Sequence, residues 1–159
     1  YRESFRPFAP AILSEHTSRW FKFDGVSPYM QFVSKIKDEH RINEKKISEA
    51  KGFMKLNIPN SIIPSVTHID FSSRIQTVHK DTNEKFYKLI NEFYKITGVP
   101  ILVNTSFNVR GEPIVNNVED AFNCFMGTDL DMLICENFIL YKKKQLKSVE
   151  KNYRKKFKE

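Results

Sequence analysis

Val103-Asn-Thr-Ser-Phe-Asn-Val-Arg-Gly-Glu-Pro-Ile-Val115 is the stretch on which the reading of the fold turns. It opens as the end of a buried strand, because Val99, Ile101, Leu102 and Val103 form a short apolar run entered through Gly98 and Pro100. It then breaks into hydroxyls (Thr105, Ser106), amides (Asn104, Asn108) and the Arg110 guanidinium, and Gly111 and Pro113 force a turn. Ligands of α/β sheets sit beyond the carboxyl ends of strands, so a strand ending in such donors suits an anion. A guanidinium can grip phosphate or carboxylate with two parallel hydrogen bonds. A polar loop that satisfies its own backbone would look the same. Residue types alone leave both readings open.

Working outward, residues 83–97 read as a helix. Phe86, Leu89, Ile90, Phe93 and Ile96 make one apolar stripe, Asp81 to Asn83 offer caps, and Gly98 ends it. A second helix over 118–126 is capped by Asn117, carries Glu119 and Asp120 in its first turn, buries Ala121, Phe122 and Phe125, and stops at Gly127. Asp131 to Ile134 and Phe138 to Tyr141 read as short strands, as do 99–105 and Tyr29 to Ile36. Ser14 to Phe21 reads as a short helix capped at Ser14. Residues 62–78 look like two strands around a polar bend, which would place His68 and Asp70 on one face, for proton transfer or for mutual structural bonding. Residues 37–57 turn to Lys, Glu, Asn and His and read as a charged helix or mobile loop, Asp38 to Gly52, on the outside of the fold, its charges a solvated face rather than a site. Helices alternating with strands indicate an α/β or α+β fold with helices packed on a mixed sheet.

At 159 residues the chain is long enough to bury one core. No apolar run approaches the roughly 20 residues that span a bilayer, so no membrane partner is expected. The net charge of +7 is local: residues 142–159 carry nine of the 26 Lys/Arg and two of the 19 Asp/Glu, leaving 17 of each sign elsewhere. The body is neutral, which disfavours nucleic acid as its partner. In the tail, Leu146, Val149, Tyr153 and Phe157 form a thin stripe that predicts a basic helix. Cys124 and Cys135 lie in apolar surroundings without metal-ligand spacing and are expected to be buried, reduced and inert, as in a cytoplasmic protein. His16, His40, His68 and His79 are scattered, and no metal site is expected. Pro7 and Pro10 stiffen the segment that carries Arg6, which makes Arg6 either a useful ligand cation or a surface residue beside an edge strand.

Four co-linear motifs carry a resemblance: Phe5-Arg-Pro-Phe-Ala-Pro10; Ser27-Pro-Tyr-Met30; Thr67-His-Ile-Asp70 with Arg74-Ile-Gln-Thr-Val78; and Gly98-Val-Pro100 with Asn104-Thr-Ser-Phe-Asn-Val-Arg-Gly-Glu-Pro-Ile114. Residues 1–141 resemble the C-terminal domain of NodU/CmcH/TobZ-type O-carbamoyltransferases. The resemblance implies a YrdC-like twisted mixed sheet in which carbamoyl phosphate and ATP, with Mg2+, yield a carbamoyl-adenylate. An N-terminal domain of actin-like ATPase type, absent from this chain, would hold iron and transfer the carbamoyl group to a small-molecule hydroxyl. Arg6, Arg74 and Arg110 match the motif arginines and are expected to act in catalysis. Thr67, His68, Asn104, Ser106 and Asn108 match substrate- or nucleotide-binding positions. The partners implied are those substrates and the N-terminal domain, and a homodimer stays open. The alternative is a non-catalytic nucleotide- or double-stranded-RNA-binding module of the same fold.

Two departures stand out. Phe71-Ser72-Ser73 replaces residues that are usually small, often Gly-Thr-Ala. Residues 37–57 look inserted. The family's upstream basic residue would precede Tyr1, so the chain reads as a fragment.

Overall fold

The computed structural model describes residues 6–146. They fall into two compact units, 6–105 and 106–146.

The larger unit is built on a mixed four-stranded sheet, which matches the α/β expectation. Its strands are β1 (Ala9–Leu13), β2 (Phe32–Lys35), β3 (Ser72–Val78) and β4 (Ile101–Asn104), in the order β2-β3-β1-β4. β1 runs parallel to β3 and antiparallel to β4, and β2 is antiparallel to β3. The buried Pro10 is tolerated in an inner strand because the parallel pairing with β3 starts one residue later, at Ala11.

Alternation along the strands gives the sheet two apolar faces. One carries Ile12, Ile75 and Ile101, packed with Trp20, Phe21 and Ile36. The other carries Ala11, Leu13 and Val78, covered by α3 (Glu84–Thr97) through Ile90. Helix α3 begins where the Asn83 side chain accepts from Phe86 N and ends at Gly98, whose φ of 74° suits glycine alone without cost. Its buried face differs from the expected stripe. Phe86, Tyr87, Ile90 and Tyr94 face the sheet, whereas Leu89 is 56% and Ile96 84% exposed. Each tyrosine lays its ring on the sheet and turns its edge to a polar rim: the Tyr87 hydroxyl donates to Glu15, and the Tyr94 ring lies 4.6 Å from that of His16.

Three local expectations need correction. Ser14 caps nothing; its hydroxyl donates to Glu15, and a 3-10 turn over Ser14–His16 leads into α1 (Thr17–Trp20). The first of the two strands expected in 62–78 is a 3-10 turn, Pro64–Val66, started by Pro64. Residues 37–57 are folded onto the unit rather than loose. They form two 3-10 turns, Asp38–His40 and Gly52–Asn57, around the short helix α2 (Glu44–Glu49). The His40 ring stacks on Trp20 at 4.3 Å, Arg41 lies 4.9 Å over the Phe71 ring while pairing with Asp38, and Ile47 is buried.

The smaller unit holds α4 (Val118–Met126) and a hairpin of β5 (Met132–Cys135) and β6 (Phe138–Tyr141). Asn117 caps α4 as expected, accepting from Asp120 N at 2.8 Å. Lys142, counted with the tail by its charge, is anchored here: its ammonium donates to Thr128 O at 2.7 Å and lies 4.3 Å from the Phe125 ring centre. The predicted terminal helix lies outside the described residues beyond Leu146. Cys124 is buried as expected and its thiol is pushed up to about 11, by burial first and then by Glu112; Cys135, expected to be buried, is only half-buried in β5, and among the described residues both cysteines are free. No helix among the described residues is long and apolar enough to cross a membrane.

Candidate functional site

Register brings two of the motif residues together. Ala11 pairs with Gln76 across the parallel ladder, so two residues earlier Ala9 stands level with Arg74. On its other side Ala9 pairs with Asn104. Residues level with one another share a face, so Arg74, Ala9 and Asn104 form one row on the face that α3 covers further along. Between the guanidinium and the carboxamide the strand offers only a methyl group. Arg74 is exposed, while its neighbours Ser73 and Ile75 are buried on the opposite face.

Gln76 crosses this row. Asn104 Nδ2 donates to Gln76 Oε1 at 2.5 Å, and Gln76 Nε2 donates to Pro28 O at 3.0 Å. The crossing passes over Ala9 and Ala11, where larger side chains would block it. Pro28 is held by its own neighbour: Ser27 N donates to Thr77 Oγ1 at 2.9 Å and Ser27 Oγ to Ile75 O at 2.8 Å. Three motifs separated in sequence are thus tied by one chain of amides. Beside it opens a cleft of about 430 Å3, lined by Pro28, Tyr29, Gln76, His79, Thr82 and Phe86 among others.

Arg6 is exposed three residues before β1, at the end of the strand where Ala9 and Arg74 lie. The adjoining Pro7 and Phe8 line a second cleft of about 290 Å3 with Lys55, Asn60 and Thr67. Thr67 reaches that cleft with its hydroxyl already engaged, donating to Ile63 O at 2.9 Å and sharing a bond with Ser61 at 2.8 Å.

His68 and Asp70 do not share a strand face. They straddle a tight turn in which His68 N donates to Ser72 O at 2.7 Å and Phe71 N to His68 O at 2.8 Å. Phe71 sits at its corner with φ 65°, a left-handed conformation that costs a side-chain-bearing residue roughly 1–2 kcal/mol. Its ring, packed against the Ile36 and Ile75 cluster and under Arg41, offsets that cost. Asp70 is used structurally. Its carboxylate accepts from Ser72 N at 3.0 Å, Ser72 Oγ at 2.6 Å and Lys35 Nζ at 2.5 Å.

Partial burial, the largest single influence on Asp70, raises its pKa; the combined hydrogen bonds from Lys35 and Ser72 outweigh it and hold the group at about 2, against 3.8. A depressed pKa contributes stability that is complete above about pH 4 and lost as pH falls toward about 2. The stability gap between the native chain and Asp70→Asn, read from urea denaturation, is therefore expected to be full at neutral pH and to close across that window. The pair with Lys35 is largely exposed, which keeps the gap small.

Ser106, Asn108 and Arg110 belong to the smaller unit. Ser106 and Arg110 are exposed. Asn108 spends its amide hydrogens on its own loop, donating to Glu112 O at 2.8 Å and Val109 O at 3.2 Å. Glu112 closes the loop by accepting from Val109 N at 2.9 Å, and Gly111 takes φ 83° at the turn. For Asn108 the donors serve the backbone, which leaves Oδ1 as the atom to offer a ligand. Among the described residues no group of three or more His, Cys, Asp or Glu could hold a metal ion.

Gln76 is the residue that inspection of the sequence did not single out as part of the site. Its signal was its place two residues after Arg74, on the same face of a strand.

Comparison with known proteins places these residues in a family. The chain is 51% identical over 146 residues to an uncharacterized protein of Synechocystis, covering 91% of this chain and 24% of that protein. It is 41% identical over 145 residues to the nodulation protein NolO of Bradyrhizobium diazoefficiens, covering 89% and 23%. With the 3'-hydroxymethylcephem-O-carbamoyltransferase of Amycolatopsis lactamdurans it shares 31% identity over 119 residues, 75% of this chain and 19% of that enzyme. The chain thus spans about a quarter of the relatives' length or less. The family model described as carbamoyltransferase C-terminus matches residues 1–142, and the chain belongs to that family.

Proposed function

We propose that this chain is the activating part of an O-carbamoyltransferase: it binds carbamoyl phosphate and ATP and forms a carbamoyl-adenylate that another part of the enzyme passes to a small-molecule hydroxyl. The observation that carries the reading is the row Arg74–Ala9–Asn104, a cation and a carboxamide separated by a methyl group, beside the cleft at Gln76.

Water first hydrolyses carbamoyl phosphate, breaking its P–O bond to give carbamate and inorganic phosphate. A carbamate oxygen then attacks the α-phosphorus of ATP, the bond to the β-phosphate oxygen breaks, and pyrophosphate departs with its Mg2+. When the acceptor hydroxyl attacks the carbamoyl carbon, AMP leaves. No protein nucleophile is needed. The task is to hold several negative charges in line, and fixed guanidinium groups at the transferring phosphate do that. In this reading Arg6, Arg74 and Arg110 act as phosphate-binding cations, Ser106 donates to a ligand oxygen, Asn108 Oδ1 accepts from a ligand N–H, and Thr67 and His68 shape the pocket beside Arg6.

The test is exchange of labelled pyrophosphate into ATP in the presence of carbamoyl phosphate. Exchange that requires carbamoyl phosphate is the expected result. Exchange independent of it, or binding of duplex RNA without binding of either substrate, would defeat the reading.

A further inference from the structure

We infer that Gln76 is a positioning residue that fixes which end of the Asn104 carboxamide meets the ligand, and that the oxygen so presented selects ligands bearing an N–H donor. The inference rests on the carbamoyl reading above and concerns the same face of the sheet.

A carboxamide has two chemically opposite ends, and a free one can turn either way. Asn104 cannot. Its Nδ2 is committed to Gln76 Oε1, and Gln76 cannot turn over because its own Nε2 is committed to Pro28 O. Reversing either amide would set two oxygens or two NH2 groups against each other. Pro28 O itself cannot change role, since a carbonyl only accepts. The direction of the whole chain is therefore dictated from its backbone end, and Asn104 Oδ1 is the atom left over. Among the described residues Oδ1 receives no hydrogen bond, and Asn104 is half-buried.

Two residues away along β3, and level with Asn104 across Ala9, stands the exposed cation Arg74. Cation and acceptor together suit a small ligand that carries negative oxygens at one end and an N–H at the other. Phosphate and acetyl phosphate have the first without the second. A carbamoyl group attached to phosphate has both, and its NH2 would be the partner of Oδ1. A site built to bond a donor rejects an isostere lacking it more strongly than a methyl-sized change alone would.

Two stable phosphonates isolate that contact. Phosphonoacetamide and acetonylphosphonate have the same anionic group and differ in bearing NH2 or CH3 on the carbonyl carbon. For the native chain, calorimetric titration is expected to give phosphonoacetamide about a tenfold lower Kd. Gln76→Leu frees the Asn104 amide to rotate, and the ratio should fall toward one, with phosphonoacetamide losing more affinity than acetonylphosphonate. Gln76→Glu loses the bond to Pro28 O but presents an acceptor to Asn104 Nδ2 from either carboxylate oxygen, so the ratio should persist even though the added charge weakens both ligands. The 1H–15N signal of the Asn104 side-chain amide should remain distinct in Gln76→Glu and move in Gln76→Leu. An unchanged ratio in a folded Gln76→Leu, or a ratio of one in the native chain, overturns the inference and leaves the carbamoyl reading standing. Failure of the native chain to bind either phosphonate together with no pyrophosphate exchange overturns both.

Discussion

Arg74→Ala is expected to weaken binding of carbamoyl phosphate about thirtyfold, roughly 2 kcal/mol, with little change in folding stability. The side chain is exposed, so its removal opens no cavity. Ser73 and Ile75, on either side, keep β3 seated through the opposite face, where Ser73 Oγ also donates to Val66 O at 2.7 Å. Arg74→Lys should recover only part of the loss, because an ammonium supplies the charge without the planar fork that meets two phosphate oxygens at once. If Arg6 grips the same ligand, Arg6→Ala should weaken it too, and the double variant with Arg74→Ala should lose less than the sum of the singles. Calorimetric titration checks the affinities and urea denaturation the stabilities. An Arg74→Ala protein that binds as tightly as the native chain would remove Arg74 from the site.

The features that were legible in the sequence are those decided within a few residues. Asn83 and Asn117 cap α3 and α4 because a side-chain oxygen two or three residues before the first free N–H is a local matter. Gly98 ends α3 for an equally local reason, its positive φ. Features decided by distant partners were misread. The α3 stripe was displaced because Tyr87 and Tyr94, polar by name, bury their rings and satisfy their edges on the segment that follows β1. Residues 62–66 carry strand-forming side chains, yet Ser61 Oγ accepts from Ile63 N at 3.1 Å and shares a bond with Thr67, a local network that competes with a sheet ladder. The stretch 37–57 looked solvated because its ties to the unit are made by His40 and Arg41, whose flat groups stack on Trp20 and Phe71.

Phe71 joins that misreading to the departure noticed in its motif. A left-handed corner calls for glycine, and phenylalanine there would be a defect if the ring had nothing to touch. The ring meets the Ile36 and Ile75 cluster on one side and Arg41 on the other. Phe71 and the stretch 37–57 are two halves of one contact. For the site itself, the candidate residues were legible as types, but their association was not. Only the pairing of Ala9 with Asn104 and of Ala11 with Gln76 shows that Arg74 and Asn104 share a row, and strand register cannot be read from residues 65 to 95 positions apart.

This chain supplied alone, with ATP, carbamoyl phosphate and a hydroxyl acceptor, is expected to turn over acceptor at least about a thousandfold more slowly than a complete polypeptide in which it is joined to the transfer part proposed above. The reason is the fate of the activated group. A carbamoyl-adenylate released to water meets a nucleophile at far higher concentration than any acceptor, so productive transfer needs acceptor and intermediate enclosed together. The described residues offer donors and cations for holding phosphates, in the Arg74 row and the loop around Arg110, and no metal-ligating cluster at which an acceptor hydroxyl could be activated. Relatives that include an O-carbamoyltransferase are four to five times as long as the stretch matched here, which leaves ample chain for a separate transfer site. The measurement compares two rates for each protein: pyrophosphate exchange, which reports activation, and appearance of carbamoylated acceptor, which reports transfer. Exchange without transfer by the short chain, and both by the complete one, is the expected pattern. Transfer by the short chain at the complete polypeptide's rate would place both steps within these 159 residues and end the division of labour proposed for them.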